Sequence, residues 1–316
     1  MGPLIVLVGP TAVGKTELAV NLALHFGAQI ISADSMQIYQ GMDIGTAKPT
    51  VDERKGVPHH LIDLVPPDQP FTVVDYQGHY KRVKNRLAAE GILPLLTGGT
   101  GLYIRAVTQG FIFPVTPPNP ELRATLKQEA ETHGREVVYR RLQELDPVAA
   151  QKIHPRDLKR TLRALEVTLS TGRPFSAQQQ AARRTLPPDI IYLGLHRERA
   201  ELYDRINRRV DQMITAGLVE EVTMLLAKGY SPDLQAMQGL GYKELIPVVH
   251  GQASLAEAVD LLKKRTRHYA KRQETWFRRE PVEKWFLLRA GEEEKTYEKI
   301  LAFLEGRINR VSNRLE

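Results

Sequence analysis

Cysteine is absent from the 316 residues. Its absence excludes disulfides, cysteine-based zinc sites and a thiol nucleophile, and it fits a reducing cytosol. Long apolar runs are missing too: no stretch approaches the roughly 20 residues that span a bilayer. The first apolar segment, Leu4 to Val8, has no basic region before it and is too short for a secretion signal. A cytoplasmic protein with no membrane partner is the expectation. There is no internal repeat and no low-complexity tract. Hydrophobic residues make up 42% of the chain, enough for a core in one large domain or two smaller ones. The 44 Lys and Arg against 37 Asp and Glu leave a net charge of +7, which weakly favours polyanionic partners.

The first hundred residues alternate between apolar strands and amphipathic helices. Strands are expected at Leu4–Val8, Gln29–Ala33 and Ile92–Leu96. Lys15–Phe26 reads as a helix with Leu18, Ala19, Leu22 and Phe26 on one face and Gly27 as its stop. Thr72 to Glu90 reads as another, with Thr72 and Asp75 as a capping box. Strand–helix–strand order at this spacing predicts a parallel sheet covered by helices. Phe113 to Pro120 is proline-rich and suggests a hinge. Beyond it, Glu121 to Thr171 is helical and strongly charged. A second break, Leu186 to Asp189, precedes a strand at Ile190–Leu195. Long helices follow at about Glu198–Lys228 and Ser254–Phe277, then a strand at Lys284–Leu288 and a closing helix. The expected fold is α/β: a parallel sheet of the P-loop NTPase type, flanked by helices, from residues 1–115 and 189–316. Residues 116–188 form an inserted all-helical domain.

Gly9-Pro10-Thr11-Ala12-Val13-Gly14-Lys15-Thr16 matches GxxxxGK[ST] between a strand and a helix. The glycines let successive N–H groups face inward on an anion, and the helix amino end adds positive potential. Lys15 would reach the terminal phosphate, and the Thr16 hydroxyl suits Mg²⁺. The usual tenant of this loop is ATP or GTP. Enzymes of that kind generally carry an acid after a second strand to help hold the metal. Here Leu93–Leu96 runs into Thr97-Gly98-Gly99-Thr100-Gly101 with no carboxylate. The one acid so placed is Asp34, after Ile30-Ile31-Ser32-Ala33. Asp34 is a turn cap, a metal contact or a general base at the carboxyl end of a strand.

Further blocks follow in order: SADSMQIYQGMDIGTAKP at Ser32–Pro49, PHHLID at Pro58–Asp63, GGTGLY at Gly98–Tyr103, RDLKRTLRALEV around Arg160–Glu166, GLGYKE at Gly239–Glu244 and YAKRQETWFR at Tyr269–Arg278. With the P-loop, this set resembles the bacterial tRNA dimethylallyltransferases (isopentenyltransferases), over nearly the whole chain. The resemblance implies transfer of a dimethylallyl group from its diphosphate to the exocyclic amine of the adenosine just 3′ of the anticodon, with pyrophosphate leaving. It implies tRNA, through its anticodon stem-loop, and dimethylallyl diphosphate as partners, Mg²⁺ as cofactor, and a monomer. The P-loop becomes a diphosphate cradle, with Thr11 near the phosphates. Asp34 becomes the general base. Asp34, Ser35, Met36 and Gln37 meet the flipped adenine, with the Gln37 amide able to read a base edge. Thr100, Arg123, Lys159, Arg160, Thr161, Leu162, Arg163, Lys271 and Arg272 are implied RNA contacts. Arg205 and Arg209 lie one helical turn apart, and either could clamp the diphosphate. Eukaryotic relatives carry a zinc finger after this region, which a chain without cysteine cannot form.

Plainer readings stand beside these. The charges on Asp157–Leu169 could be a solvated helix face. Lys263, Lys264, Arg265, Arg267, Lys271 and Arg272, with Tyr269, Trp276 and Phe277 among them, suit RNA backbone and stacking, or a charged helix with core aromatics. His59 and His60 lack metal-ligand spacing and read as structural. The rival function is a small-molecule kinase using ATP at the same loop, since fold alone does not set function. A second rival is a non-catalytic RNA-binding protein.

Overall fold

The structure, a computed structural model, describes residues 2–110, 119–178 and 186–315. Most of the expected hinge, residues 113–118, lies outside the described residues. The chain divides into two compact units, residues 1–108 with 184–316, and residues 109–183.

The first unit is built on a six-stranded sheet: β1 (Leu4–Val8), β2 (Gln29–Ser32), β3 (His59–His60), β4 (Pro94–Gly98), β5 (Ile190–His196) and β6 (Lys284–Leu287). Every pairing is parallel, and the spatial order is β3-β2-β4-β1-β5-β6. A parallel sheet is covered on both faces, so its central strands are apolar at every position. All five residues of β1 are buried. The two-residue period divides them: Leu4, Val6 and Val8 join one core with Ile31, Leu96 and Tyr192, while Ile5 and Leu7 join the other with Ile30, Leu95 and Leu193.

The order of strands is what builds the site. Ligands in open α/β sheets bind beyond the carboxyl ends of the strands, where the winding direction reverses. Here β4 returns between β2 and β1. The turn after β4 therefore lies between the loop after β1 and the segment after β2. The P-loop, the Gly98–Gly101 turn and Asp34 share one edge for this reason.

Helix boundaries follow the local chemistry closely. Lys15–Phe26 ends at Gly27, which adopts a left-handed φ of 61°. Thr72 and Asp75 form the expected capping box on Val73–Ala89, and Ser254 with Glu257 does the same for Leu255–Phe277. One expectation fails. The single helix anticipated at about Glu198–Lys228 is two, Arg199–Thr215 and Leu218–Ala227. Gly217 takes φ 98°, outside helical space, and the chain turns there. The break lets Leu218, Val222 and Leu225 pack into the core with Tyr242 and Leu245. The short strand β3 and the helix Gly101–Thr108 carry no period long enough to be read beforehand.

The second unit is helical: Pro120–His133, Arg135–Leu145, Pro147–Lys152, Leu158–Thr171 and Phe175–Gln178. Its own core joins Leu126, Val138, Leu142, Ile153 and Leu165. Asp146, 1% exposed, holds the unit's tail: its carboxylate accepts from Ala149 N and from both N and Oγ of Ser176. Among the described residues no helix is long and apolar enough to cross a membrane.

Candidate active site

The cradle forms where β1 ends. Gly14 takes φ 112° and caps the helix Lys15–Phe26, so the loop leads straight into the helix amino end. Ala12 also lies in left-handed space, at φ 63°. Two arginines hold this strained part from outside. Arg205 Nε donates to the Ala12 carbonyl and Arg197 Nε to the Val13 carbonyl, each at 2.9 Å. Arg197 is itself buried between Glu201 and Glu293.

Lys15 folds back over the loop, its Nζ 2.9 Å from the Gly9 carbonyl and 2.8 Å from that of Pro10. Burial, with the Arg209 charge nearby, pulls its pKa down to about 7, against an opposing pull from Asp34. A phosphate anion beside Lys15 favours its charged form. Binding of pyrophosphate at about pH 8 should therefore take up a proton, and affinity should fall as pH rises above 7. Calorimetry in two buffers of different ionisation enthalpy measures that uptake. Equal apparent enthalpies in both would exclude Lys15 as the group that titrates.

Asp34 stands across from Lys15. Its Oδ1 accepts from Met36 N at 2.9 Å and Gln37 N at 3.4 Å, as a turn cap does. Its Oδ2 faces Gly99. Burial raises the pKa of the carboxyl, while those backbone bonds, Lys15 and Arg209 pull it back. Thr100 secures the same segment: its Oγ1 accepts from Ser35 N at 2.9 Å and lies 3.1 Å from Ser35 Oγ.

Arg205 and Arg209 prove to be different. Arg205 grips the loop backbone. Arg209 makes no hydrogen bond or ion pair among the described residues, and its guanidinium is desolvated close to Lys15 and Asp34. It faces the site.

Other expectations are redirected. The Gln37 amide is committed: Ser32 Oγ donates to its Oε1, and its Nε2 donates to the carbonyls of Thr46 and Ala47. Reading a base edge would break these bonds, so Gln37 shapes the segment instead. The basic cluster on Leu255–Phe277 also divides. Lys263 pairs with Asp211 at 2.6 Å, Arg265 with Glu244 at 2.7 Å, and Arg267 donates to Asn207 at 2.6 Å. Lys264, Lys271 and Arg272 remain exposed. Phe277 is core, and Trp276 packs under the Arg105 guanidinium, 4.4 Å from its ring. His59 and His60 are tied to the Val57 carbonyl and to Gln29.

In the helical unit, Thr161 and Leu162 are buried, so their side chains are not a surface for RNA. Lys159 and Arg160 are exposed. Arg123 and Arg163 both bond one Glu166 oxygen, at 2.6 and 2.9 Å, and Asn119 N bonds the other. Burial would raise the pKa of Glu166, yet the bonds from Arg123, Asn119 and Arg163 prevail and lower it.

Two residues escaped the sequence reading. Glu221, 6% exposed, receives Asp43 N, Ile44 N and Gly45 N at 2.8–3.0 Å and the Tyr242 hydroxyl at 2.7 Å. It fixes the loop that carries Thr46 and Ala47, and through them Gln37. Nothing local marks it, since its backbone partners lie 176–178 residues away in sequence. Glu221→Gln keeps the shape but turns an NH₂ group toward N–H or O–H donors. It should destabilise the protein by about 1–3 kcal/mol, read as a lower melting temperature by calorimetry. An unchanged melting temperature would mean the carboxylate carries no load. The second residue is Gln273, which accepts from Thr11 N at 2.8 Å and donates to the Gly99 carbonyl at 2.9 Å.

The fold and site define an α/β P-loop protein whose anion cradle faces a lone carboxylate. The model of the IPP transferase family matches residues 37–280, and that of the isopentenyl transferases matches 2–65. A tRNA dimethylallyltransferase of Geobacillus kaustophilus is 47% identical over 98% of both chains. The crystal structure of the full-length tRNA isopentenylpyrophosphate transferase of Bacillus halodurans is 40% identical and superposes with a TM-score of 0.73 over 99% of both chains. A eukaryotic dimethylallyltransferase, captured acting on tRNA, is 26% identical with a TM-score of 0.83, over 98% of this chain and 80% of that one. The chain belongs to the tRNA dimethylallyltransferase family. The family assignment sets the kinase reading aside.

Proposed function

We propose that this protein transfers the dimethylallyl group from dimethylallyl diphosphate to the exocyclic amine of the adenosine immediately 3′ of the tRNA anticodon. The observation that carries the mechanism is one desolvated carboxylate, Asp34, within electrostatic reach of Lys15 and Arg209 beside a P-loop. A hydrolase would want an acid after β4, and that place is held by glycines.

The amine of adenine is a weak nucleophile because its lone pair is delocalised into the ring. As it attacks the first carbon of the allyl group, the new C–N bond forms and the C–O bond to diphosphate breaks. Asp34 Oδ2 accepts the amine proton, and a raised pKa makes it a stronger base than an exposed aspartate. Negative charge grows on the leaving diphosphate. Lys15, Arg209 and the amino end of the helix Lys15–Phe26 supply positive charge there, and contacts that strengthen as the charge grows stabilise the transition state more than the ground state. Ser35, Met36 and Thr100 border the place for the flipped adenine. Lys159, Arg160, Arg123, Arg163, Lys271 and Arg272 supply positive charge for the RNA backbone.

Among the described residues no group of three His, Asp or Glu could hold a metal by itself. Mg²⁺ generally keeps several waters and leans on substrate phosphates rather than a protein cage. Thr16, exposed at the first turn of its helix, is the residue to hold it. When bound, the ion would neutralise diphosphate charge. A tRNA substrate suits a cytoplasmic location.

The test is a transfer assay with Mg²⁺, labelled dimethylallyl diphosphate and an unmodified anticodon stem-loop. Label should enter the RNA. Consumption of ATP without label in any tRNA would return the kinase to first place.

A further inference from the structure

The cradle and the adenine side meet at one side chain. Gln273, 5% exposed, joins Thr11 of the P-loop to Gly99 of the turn after β4, across 262 and 174 residues of sequence. Thr11 N is a donor and the Gly99 carbonyl is an acceptor, so the bridge needs an acceptor at one end and a donor at the other. A glutamine amide of this length supplies both. The fit is close: a Cβ on Gly99 would fall on the Gln273 amide nitrogen. One helical turn earlier, the Tyr269 ring lies under the Arg272 guanidinium.

Each end of the bridge continues into a substrate position. On one side is the backbone of the diphosphate cradle. On the other, the residue after Gly99 is Thr100, whose N donates to the Ala33 carbonyl at 3.0 Å and whose hydroxyl holds Ser35. Asp34 lies between those two anchors. The helix that carries Gln273 is not free to follow either loop. Lys263 and Arg267 fasten it to Asp211 and Asn207, on the helix that bears Arg205 and Arg209, and Arg265 fastens it to Glu244. With its helix held, the Gln273 amide is one fixed anchor shared by the P-loop and the Gly99–Thr100 turn, so ordering of either loop firms the anchor of the other.

We propose that Gln273 is a positioning residue that couples the two substrate positions, so that an anion in the cradle and RNA at the Asp34–Thr100 segment strengthen each other's binding. The inference rests on the functional reading above for what fills each position. Coupling of this kind is reciprocal: each ligand must change the affinity of the other by the same factor, typically about 5–150-fold. A glutamine that only supports the fold would contribute to stability and leave that factor alone.

The experiment measures both halves of the cycle in full-length protein with Mg²⁺. Stem-loop affinity is read by fluorescence anisotropy with and without saturating inorganic pyrophosphate. Pyrophosphate affinity is read by calorimetry with and without stem-loop. The native protein should show the same tightening, about fivefold or more, in both directions. Gln273→Glu keeps the bond from Thr11 N but sets a carboxylate oxygen against the Gly99 carbonyl, so the factor should fall toward one. Gln273→Ala, which removes both bonds, should behave alike. Coupling unchanged in either variant overturns the proposal. So does native protein that binds both ligands with no mutual effect, a result that needs no variant to fold and leaves the functional reading standing. Native protein that binds neither ligand overturns the functional reading and this inference together.

Discussion

Asp34→Asn should lower single-turnover transfer by roughly 10²–10⁴-fold, the usual worth of a positioned general base. The asparagine oxygen can still accept from Met36 N and Gln37 N, so the turn that shapes the adenine segment survives. What is lost is the second oxygen, the one facing Gly99, as a proton acceptor. Stem-loop affinity should therefore stay near native. Asp34→Ala removes the turn as well and should lose more. The native pH profile carries a second check. The base must be ionised, and burial raises its pKa above the ordinary aspartate range. Transfer should rise with pH through an inflection above that range, and the inflection should vanish in the asparagine variant. Near-native rates from Asp34→Asn would remove the general base from the mechanism while leaving the family assignment intact.

Arg209→Ala should cost about 10²–10³ in kcat, comparable to losing one donor from a preorganised anion site. Its guanidinium is desolvated, with the charges of Glu53 and Asp34 near it and no hydrogen bond or ion pair among the described residues, so a diphosphate is the partner expected to complete it. Lysine at this position would restore the charge but not the two-pronged geometry, and should recover little. Arg205→Ala is the contrast. Arg205 holds the Ala12 carbonyl, so its loss should slacken the loop and weaken diphosphate binding through KM more than kcat. Steady-state kinetics of the two variants side by side would separate the roles. Equal kcat losses would mean that both arginines touch the leaving group.

Much of this was legible beforehand because it is local. A GxxxxGK[ST] run between an apolar strand and a helix leaves few conformations open to it. Thr72 with Asp75, Ser254 with Glu257, and Gly27 mark helix ends through bonds to their own neighbours. The motif blocks were enough to point to the family. The two-residue strand β3 was illegible, because a strand so short has no period.

The open readings share one cause. Lys263, Arg265 and Arg267 suit either an RNA face or a charged helix until Asp211, Glu244 and Asn207 are placed against them. Gln37 looks like a base reader until Thr46 and Ala47 present their carbonyls. In each case the residue type was known and its partner was not.

By itself the sequence determined the class of fold, the phosphate cradle, the lone carboxylate and the family, since each rests on bonds within a few residues or on an ordered set of motifs. Only the tertiary structure decided that β4 lies between β1 and β2, that Arg209 comes near Lys15 and Asp34 while Arg205 braces the loop, and that Glu221 and Gln273 tie distant segments together. Those outcomes depend on which surfaces meet when the sheet closes its two cores. A buried polar group must find its partner there, however far away in the chain that partner lies.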